Sequence, residues 1–263
     1  MSQQSSPNQR RRVSPATIAV AILVVIAVIL ISLAGLYTDL LWFNQTGFQS
    51  VFLTQIFAQI ALFIVGFALM FTVTLISFWL AYRNRPVYLR MPGESPFENY
   101  QEVIDNLRRL IMFGVPGVLG VFAGIAASAQ WITALQFLNS TPAGRDDQQF
   151  GLDVGFYLFQ LPFLTAALGF ISAALLLGGL IAAGVHLIYG GIRLEGRSLR
   201  VAKAARVQIS ITVAIYFLVQ AASLWLNQYE TVINTNELLT GARYSDVNAT
   251  IPGLQILALI SLL

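Results

Sequence analysis

The sequence predicts an all-α polytopic helix bundle threaded through a bilayer, and three observations predict it. First, five long runs contain no Asp, Glu, Lys or Arg: Val13–Thr38, Leu40–Tyr82, Leu110–Gly144, Val154–Ile192 and Val207–Tyr229. Each can cross a hydrocarbon core ~30 Å thick, which needs ~20 apolar residues. Second, 57% of the residues are hydrophobic, only 10% are charged, and the mean hydropathy is +0.72. A soluble domain carries about 25% charged residues. Third, the charges between the runs are sorted by sign. Arg10, Arg11 and Arg12 precede run one. Arg83, Arg85, Arg90, Arg108 and Arg109 lie between runs two and three, and Arg193, Arg197, Arg200, Lys203 and Arg206 between runs four and five. Those are thirteen of the fifteen basic residues, and they fall on one side of an alternating topology. The other side keeps Arg145 and Arg243 with Asp39, Asp146, Asp147, Asp153, Glu230, Glu237 and Asp246. Basic residues near span ends favour the cytoplasmic side. The expected architecture is five complete spans and a truncated sixth, with the N-terminus in the cytoplasm.

Residues 1–15 are polar and rich in Ser, Gln and Pro, so they read as a disordered cytoplasmic tail before a helix domain over 16–263. Span one, Ala16–Leu36, is longer than the 7–15 apolar residues of a secretory signal, although Ser32-Leu33-Ala34 resembles a cleavage site. It reads as an uncleaved anchor. Tyr37–Ser50 is then an outer connection whose Trp42, Phe43 and Phe48 suit the interfacial belt. Span two lies within Val51–Tyr82. In the next loop, Ser95-Pro96-Phe97-Glu98 fits a capping box, and Phe97, Tyr100, Ile104, Leu107 and Ile111 recur at helical steps. That pattern predicts an amphipathic helix near 96–109 on the inner leaflet.

Span three, Leu110–Trp131, contains Pro116 and the small-xxx-small pair Gly120 and Gly124. Span four, Leu161–Tyr189, places Ala174, Gly178 and Ala182 at one spacing. Such residues let helices approach closely, so spans three and four are the expected packed centre. Span five covers Val207–Leu226. Gly253–Leu263 opens a sixth apolar run of eleven residues, about 16 Å of helix and half a hydrocarbon core.

The chain contains no Cys, which excludes disulfides and thiolate chemistry. There is no phosphate-binding glycine loop, no HExxH and no nucleophile elbow. No catalytic, cofactor-binding or metal-binding residue is therefore assigned, and no cofactor is implied. His186 is the only histidine, and an ionisable group within a span is a candidate proton relay or ligand contact. Its plainer reading is a helix–helix hydrogen bond. Gln220 and Gln208 are polar groups in an apolar zone; Gln220 reads as a bond to a neighbouring helix, with the lining of a substrate pathway as the alternative. Arg193, Arg197, Arg200, Lys203 and Arg206 stand at or near helical steps, and each adds ~1 kcal/mol of attraction to anionic head groups of the inner leaflet. Asp146, Asp147 and Asp153 could attract a cation, but read more simply as solvated loop charges.

Three segments form a recognisable set. Trp42-Phe43-Asn44-Gln45-Thr46-Gly47-Phe48 with Val51-Phe52 resembles a WF-x-x-x-G-aromatic-x-x-VF pattern. Phe150-Gly151-Leu152-Asp153-Val154-Gly155-Phe156-Tyr157-Leu158-Phe159-Gln160-Leu161-Pro162-Phe163 resembles F-G-x-D-x-x-FY-x-F-x-LPF, the most specific of the three. Gly241-Ala242-Arg243-Tyr244-Ser245-Asp246-Val247-Asn248-Ala249 resembles GA-x-Y-[ST]-DVNA. In this order they resemble a family of very large multi-pass membrane proteins of uncharacterised function, found in actinobacteria and cyanobacteria. The likeness covers residues 40–263. It implies about seven N-terminal spans followed by a large extracytoplasmic region. One departure is Asp146-Asp147-Gln148-Gln149, where the family pattern has an Asp-Pro pair. The family supplies no catalytic residues to carry over.

These readings favour a non-enzymatic module of the bacterial cell membrane that anchors or assembles with an extracytoplasmic domain or protein partner. Two alternatives belong to other classes. One is a transporter or channel subunit with a pathway between spans three to five. The other is the membrane part of an envelope or lipid enzyme whose catalytic groups lie elsewhere. Nucleic acid is not an expected partner.

Overall fold

The computed structural model describes residues 14–85, 107–195, 198–235 and 241–263. Among the described residues it is all-α apart from one two-stranded hairpin, and five helices are long and apolar enough to cross a bilayer. The chain divides into two units, residues 1–56 and 57–263.

In the first unit, α1 (Pro15–Gln45) starts at Ser14, whose hydroxyl accepts the Thr17 N–H, with Pro15 at the first helical position. The helix runs through the stretch expected to be a connection, because neither Gly nor Pro interrupts residues 37–46. The chain turns only at Gly47, with φ +79°. Phe43 then meets Phe52 at a ring separation of 5.3 Å, on the first turns of α2 (Gln49–Arg83).

The second unit holds the rest of α2 and α3 (Arg108–Ser128), α4 (Trp131–Leu138), α5 (Leu161–Ile188), α6 (Lys203–Glu230) and α7 (Ile251–Leu262). Its tightest seams are made by glycine. A Cβ on Gly124 would lie 2.8 Å from a ring carbon of Phe63 and 2.9 Å from its carbonyl oxygen. One on Gly120 would lie 2.9 Å from Phe67, and one on Gly66 only 2.5 Å from Ala127 Cβ. On α5, a Cβ on Gly178 would meet Ser77 Oγ at 2.8 Å. The small residues of α3 and α5 therefore both receive α2, and Met70, Ala123 and Ala174 form one buried cluster of the three helices. The centre involves α2 as much as α3 and α5, because the phenylalanines of α2 fill the grooves that the glycines leave.

The expected amphipathic helix near 96–109 falls mostly on residues 96–106, outside the described residues. The basic loop after α5 departs from its helical spacing. It forms the antiparallel strands β1 (Ile192–Glu195) and β2 (Ser198–Val201), with Arg193 opposite Arg200. Arg197 lies outside the described residues. Apolar alternation at Ile192, Leu194, Leu199 and Val201 is a period of two, and a two-residue interval separates the paired Glu195 and Ser198.

The ends of the second unit differ in construction. Tyr82 and Tyr189 pack edge to face at 5.4 Å, with the Arg85 guanidinium 4.1 Å from the Tyr82 ring and that of Arg108 4.8 Å from it. The hairpin, Lys203 and Arg206 follow α5 at this basic end. At the other end Phe150 and Phe156 both meet Tyr229, and Gln255 Nε2 donates to Gln228 Oε1 at 2.8 Å. This acidic end carries Asp146, Asp147, Asp153, Glu230 and Asp246.

Candidate functional site at the basic end

His186 sits two residues before the end of α5 and is 1% exposed. The helix closes directly over it. Gly190 takes φ +71°, its N–H reaches the Leu187 carbonyl, and the Gly191 N–H reaches the His186 carbonyl. That pair of bonds is a Schellman closure, which requires a left-handed residue where Gly190 stands. Gly191 is needed for space, since a Cβ there would lie 3.0 Å from His186 Nδ1. The hairpin is tied to the same turn: Ala202 N–H donates to the Gly191 carbonyl at 2.8 Å, and Arg193 Nε to that of Gly190 at 3.1 Å. The start of α6 is thereby fixed beside His186.

This placement builds a polar chain across three helices. Gln208 Nε2 on α6 donates to the Ser77 carbonyl on α2 at 2.9 Å. A carbonyl only accepts, so that bond fixes which way the amide points. Gln208 Oε1 is then left to accept Nε2–H of His186, at 3.0 Å. In the neutral ring Nδ1 becomes the lone-pair nitrogen, and it is buried without a hydrogen-bond partner.

Gln208 and Ser77 also line an open-sided cleft of about 710 Å³ between α2, α5 and α6. Asn84 and Lys203 stand at one end of it, whereas Val73 and Ile215 stand at the other. His186 lies behind the Gln208 wall rather than in the cleft lining. Of the other residues singled out from sequence, Gln220 Oε1 accepts from Ser172 Oγ at 3.3 Å, another bond between α5 and α6. Gly120 and Gly124 of α3 and Gly178 of α5 are packing sites that receive α2. Arg193, Arg200, Lys203 and Arg206 gather at the basic end.

Sequence reasoning missed the architecture of the acidic end. Asp147 and Asp153 are fasteners of the loop as well as charges near its surface. Asp153 accepts from the backbone N–H groups of Ala143, Gly144 and Gly155 at 2.8, 2.8 and 2.6 Å. These bonds, that from Ala143 foremost, hold its carboxyl below the usual carboxylate range against the opposing effect of burial. Asp147 Oδ2 accepts from Gln149 N–H, Phe150 N–H and Tyr157 Oη. A Cβ on Gly155 would strike the Thr141 carbonyl at 2.6 Å, which explains this glycine.

The chain then enters α5 through a π-turn at Phe156–Gln160, where Leu161 N–H bonds five residues back to the Phe156 carbonyl, with Pro162 following. The start of α7 repeats this arrangement. Asp246 Oδ2 accepts the Arg243 N–H, a π-turn spans Asp246–Thr250, Ile251 N–H bonds back to the Asp246 carbonyl, and Pro252 follows. An acidic residue upstream of an X-Pro helix start was the available signal. Among the described residues, no three His, Cys, Asp or Glu side chains are grouped to hold a metal ion.

Apolar helices of spanning length, glycine seams and charges divided between two ends define a helical protein of the kind that packs within lipid. Comparison with known proteins is more specific: residues 16–263 match the model of the uncharacterised protein family UPF0182, and the chain belongs to that family. It is 46% identical over 260 residues to a UPF0182 protein of Clavibacter sepedonicus, covering 98% of this chain and 27% of the relative. It is 48% identical over 255 residues to one of Leifsonia xyli (96% and 25%), and 40% over 260 to one of an Arthrobacter strain (98% and 25%). The chain thus spans about a quarter of the length of these relatives. No solved structure matches it.

Proposed function

We propose that this chain is a module of the bacterial cell membrane, with its N-terminus and basic end in the cytoplasm, that anchors or assembles with an extracytoplasmic domain or partner. The observation that carries this reading is the construction of the acidic end. Two of the three family segments there are fastened by carboxylate bonds to backbone N–H groups and led into helices through matching π-turns. Rigid loops at a helix end suit a docking platform, because they lose little freedom when a partner binds. At the opposite end, Arg193 and Arg200 face one another across the hairpin. With Arg197, Lys203 and Arg206 they would meet the anionic head groups of the inner leaflet.

The native chain has no cysteine, so single substitutions give an unambiguous test. A membrane-impermeant maleimide on intact cells should label Gln148→Cys, and label Lys203→Cys only after permeabilisation. The reverse pattern would overturn the orientation. For the docking role, a photocrosslinker at Gln148 in a full-length family member should capture the region beyond the matched quarter or a second protein. Adducts with lipid alone would remove that role.

A further inference from the structure

We propose that the cleft between α2, α5 and α6 binds one acyl chain of an anionic lipid, with the head group at Lys203. The inference rests on the membrane reading above and adds a ligand site to it.

Three magnitudes select this occupant. The first is length. From Lys203 to Ile215 the lining advances twelve residue steps along α6, and from Val73 to Asn84 eleven steps along α2 and the residue that follows it. At 1.5 Å per residue the cleft is about 18 Å long, against about 15 Å for one leaflet of the hydrocarbon core. The second is volume. The cleft offers about 710 Å³, within the roughly 300–1,000 Å³ of a small-ligand site.

The third is polarity, which is graded along the cleft. Ile76, Val207, Ile211 and Ile215 are 43–55% exposed apolar side chains along its open side. Asn84 and Lys203 mark the end level with the arginines. The first turn of α6 contains no acidic residue, and its N-cap, Ala202, offers no side-chain bond to the free N–H groups. Lys203, Arg206 and those N–H groups together favour a phosphate head of net negative charge over a zwitterionic one, whose phosphate is accompanied by its own cation. Gln208 gives the cleft a fixed wall, held at its amide nitrogen by Ser77 and at its oxygen by His186.

The test uses membranes containing the chain and phosphatidylglycerol or phosphatidylcholine with a diazirine near the end of one acyl chain. Adducts are located by mass spectrometry. Phosphatidylglycerol should label Ile211, Ile215 and Val73 in preference to phosphatidylcholine. Lys203→Ala should reduce that preference about fivefold, the effect of one basic group at an anionic surface. Ile211→Trp, at an exposed position, should block cleft labelling by both lipids and leave labelling at Ile64 and Val118 unchanged. Equal labelling by the two lipids, or labelling of Ile64 and Val118 as strong as that of the cleft, would overturn the proposal while leaving the membrane reading intact. A protein–protein adduct at Ile211 would also overturn it, in favour of a partner helix. No labelling on any helix would instead overturn the membrane reading on which it depends.

Discussion

Replacing Gln208 with Met is the sharpest probe of the polar chain at the basic end. Met matches the reach of the amide but neither donates to the Ser77 carbonyl nor accepts from His186, bonds now 2.9 and 3.0 Å long. Because Nδ1 already lacks a partner, the variant leaves both ring nitrogens of a 1% exposed histidine unsatisfied. One stranded buried donor costs about 1–3 kcal/mol. His186→Leu should cost less, about 1 kcal/mol, because it strands only Gln208 Oε1 in a half-buried side chain and also removes the unpartnered Nδ1. The double variant removes donor and acceptor together. It should therefore recover about 1 kcal/mol relative to the sum of the single changes, between the average of about 0.6 and the maximum of about 1.7 for polar pairs between membrane helices. Reversible unfolding in mixed micelles, followed by the fluorescence of the four tryptophans, supplies the cycle. Strictly additive costs, or a neutral Gln208→Met, would show that the His186–Gln208 bond does not hold α5 to α6.

Other outcomes follow from the same geometry. Gly124→Val should destabilise the chain by about 1–3 kcal/mol, since its Cβ would press on Phe63 ring and backbone atoms. Gly117→Ala, where nothing lies within 4 Å, should be neutral or stabilising by up to about 1 kcal/mol in the same unfolding assay. Gly190→Ala should loosen the hairpin by forcing a side chain into φ +71°, seen as faster amide exchange at Ala202. The Asp153 carboxyl is held below its ordinary value of 3.8, so it binds protons less readily in the folded loop than in the unfolded chain. Its contribution is fully present above about pH 4 and is lost as pH falls through the depressed folded value. Exchange protection at Ala143, Gly144 and Gly155, corrected for intrinsic rate, should decline over that window, and Asp153→Asn should abolish the pH dependence.

The helices were legible because lipid imposes a length and a composition together. Val207–Leu226 and Leu161–Tyr189 predict α6 and α5 to within four residues at each end. The failures have separate causes. An uncharged run does not say where the helix inside it stops: Leu110–Gly144 contains a break at Ala129–Gln130 and the separate α4. Aromatic residues at 37–45 look interfacial whether they lie in a loop or extend a helix, which hid the last turns of α1. Arginines at steps of three and four fit a helix, whereas the period-two apolar pattern between them marks the hairpin. For the candidate site, the sequence marks His186, Gln208 and Gln220 as unusual. It cannot pair them, because Gln208 stands twenty-two residues from His186 and also bonds a main-chain carbonyl on α2, while the partner of Gln220 is a serine forty-eight residues away. The carboxylate fasteners were hidden for the same reason: their partners are backbone N–H groups, which every residue but proline carries.

The π-turns that open α5 and α7 also set a phase. Each lodges one residue more than an α-helical turn, and an α-helix advances about 100° per residue. The aromatic loop side chains upstream and the Ala174–Gly178–Ala182 stripe downstream are therefore kept in mutual alignment by a single surplus residue. Deleting Leu158 would leave the composition and length of the span almost untouched. It would nonetheless rotate the loop by roughly a quarter turn against the helix beneath it, so that Tyr157 could no longer face Asp147 while Gly178 faced Ser77.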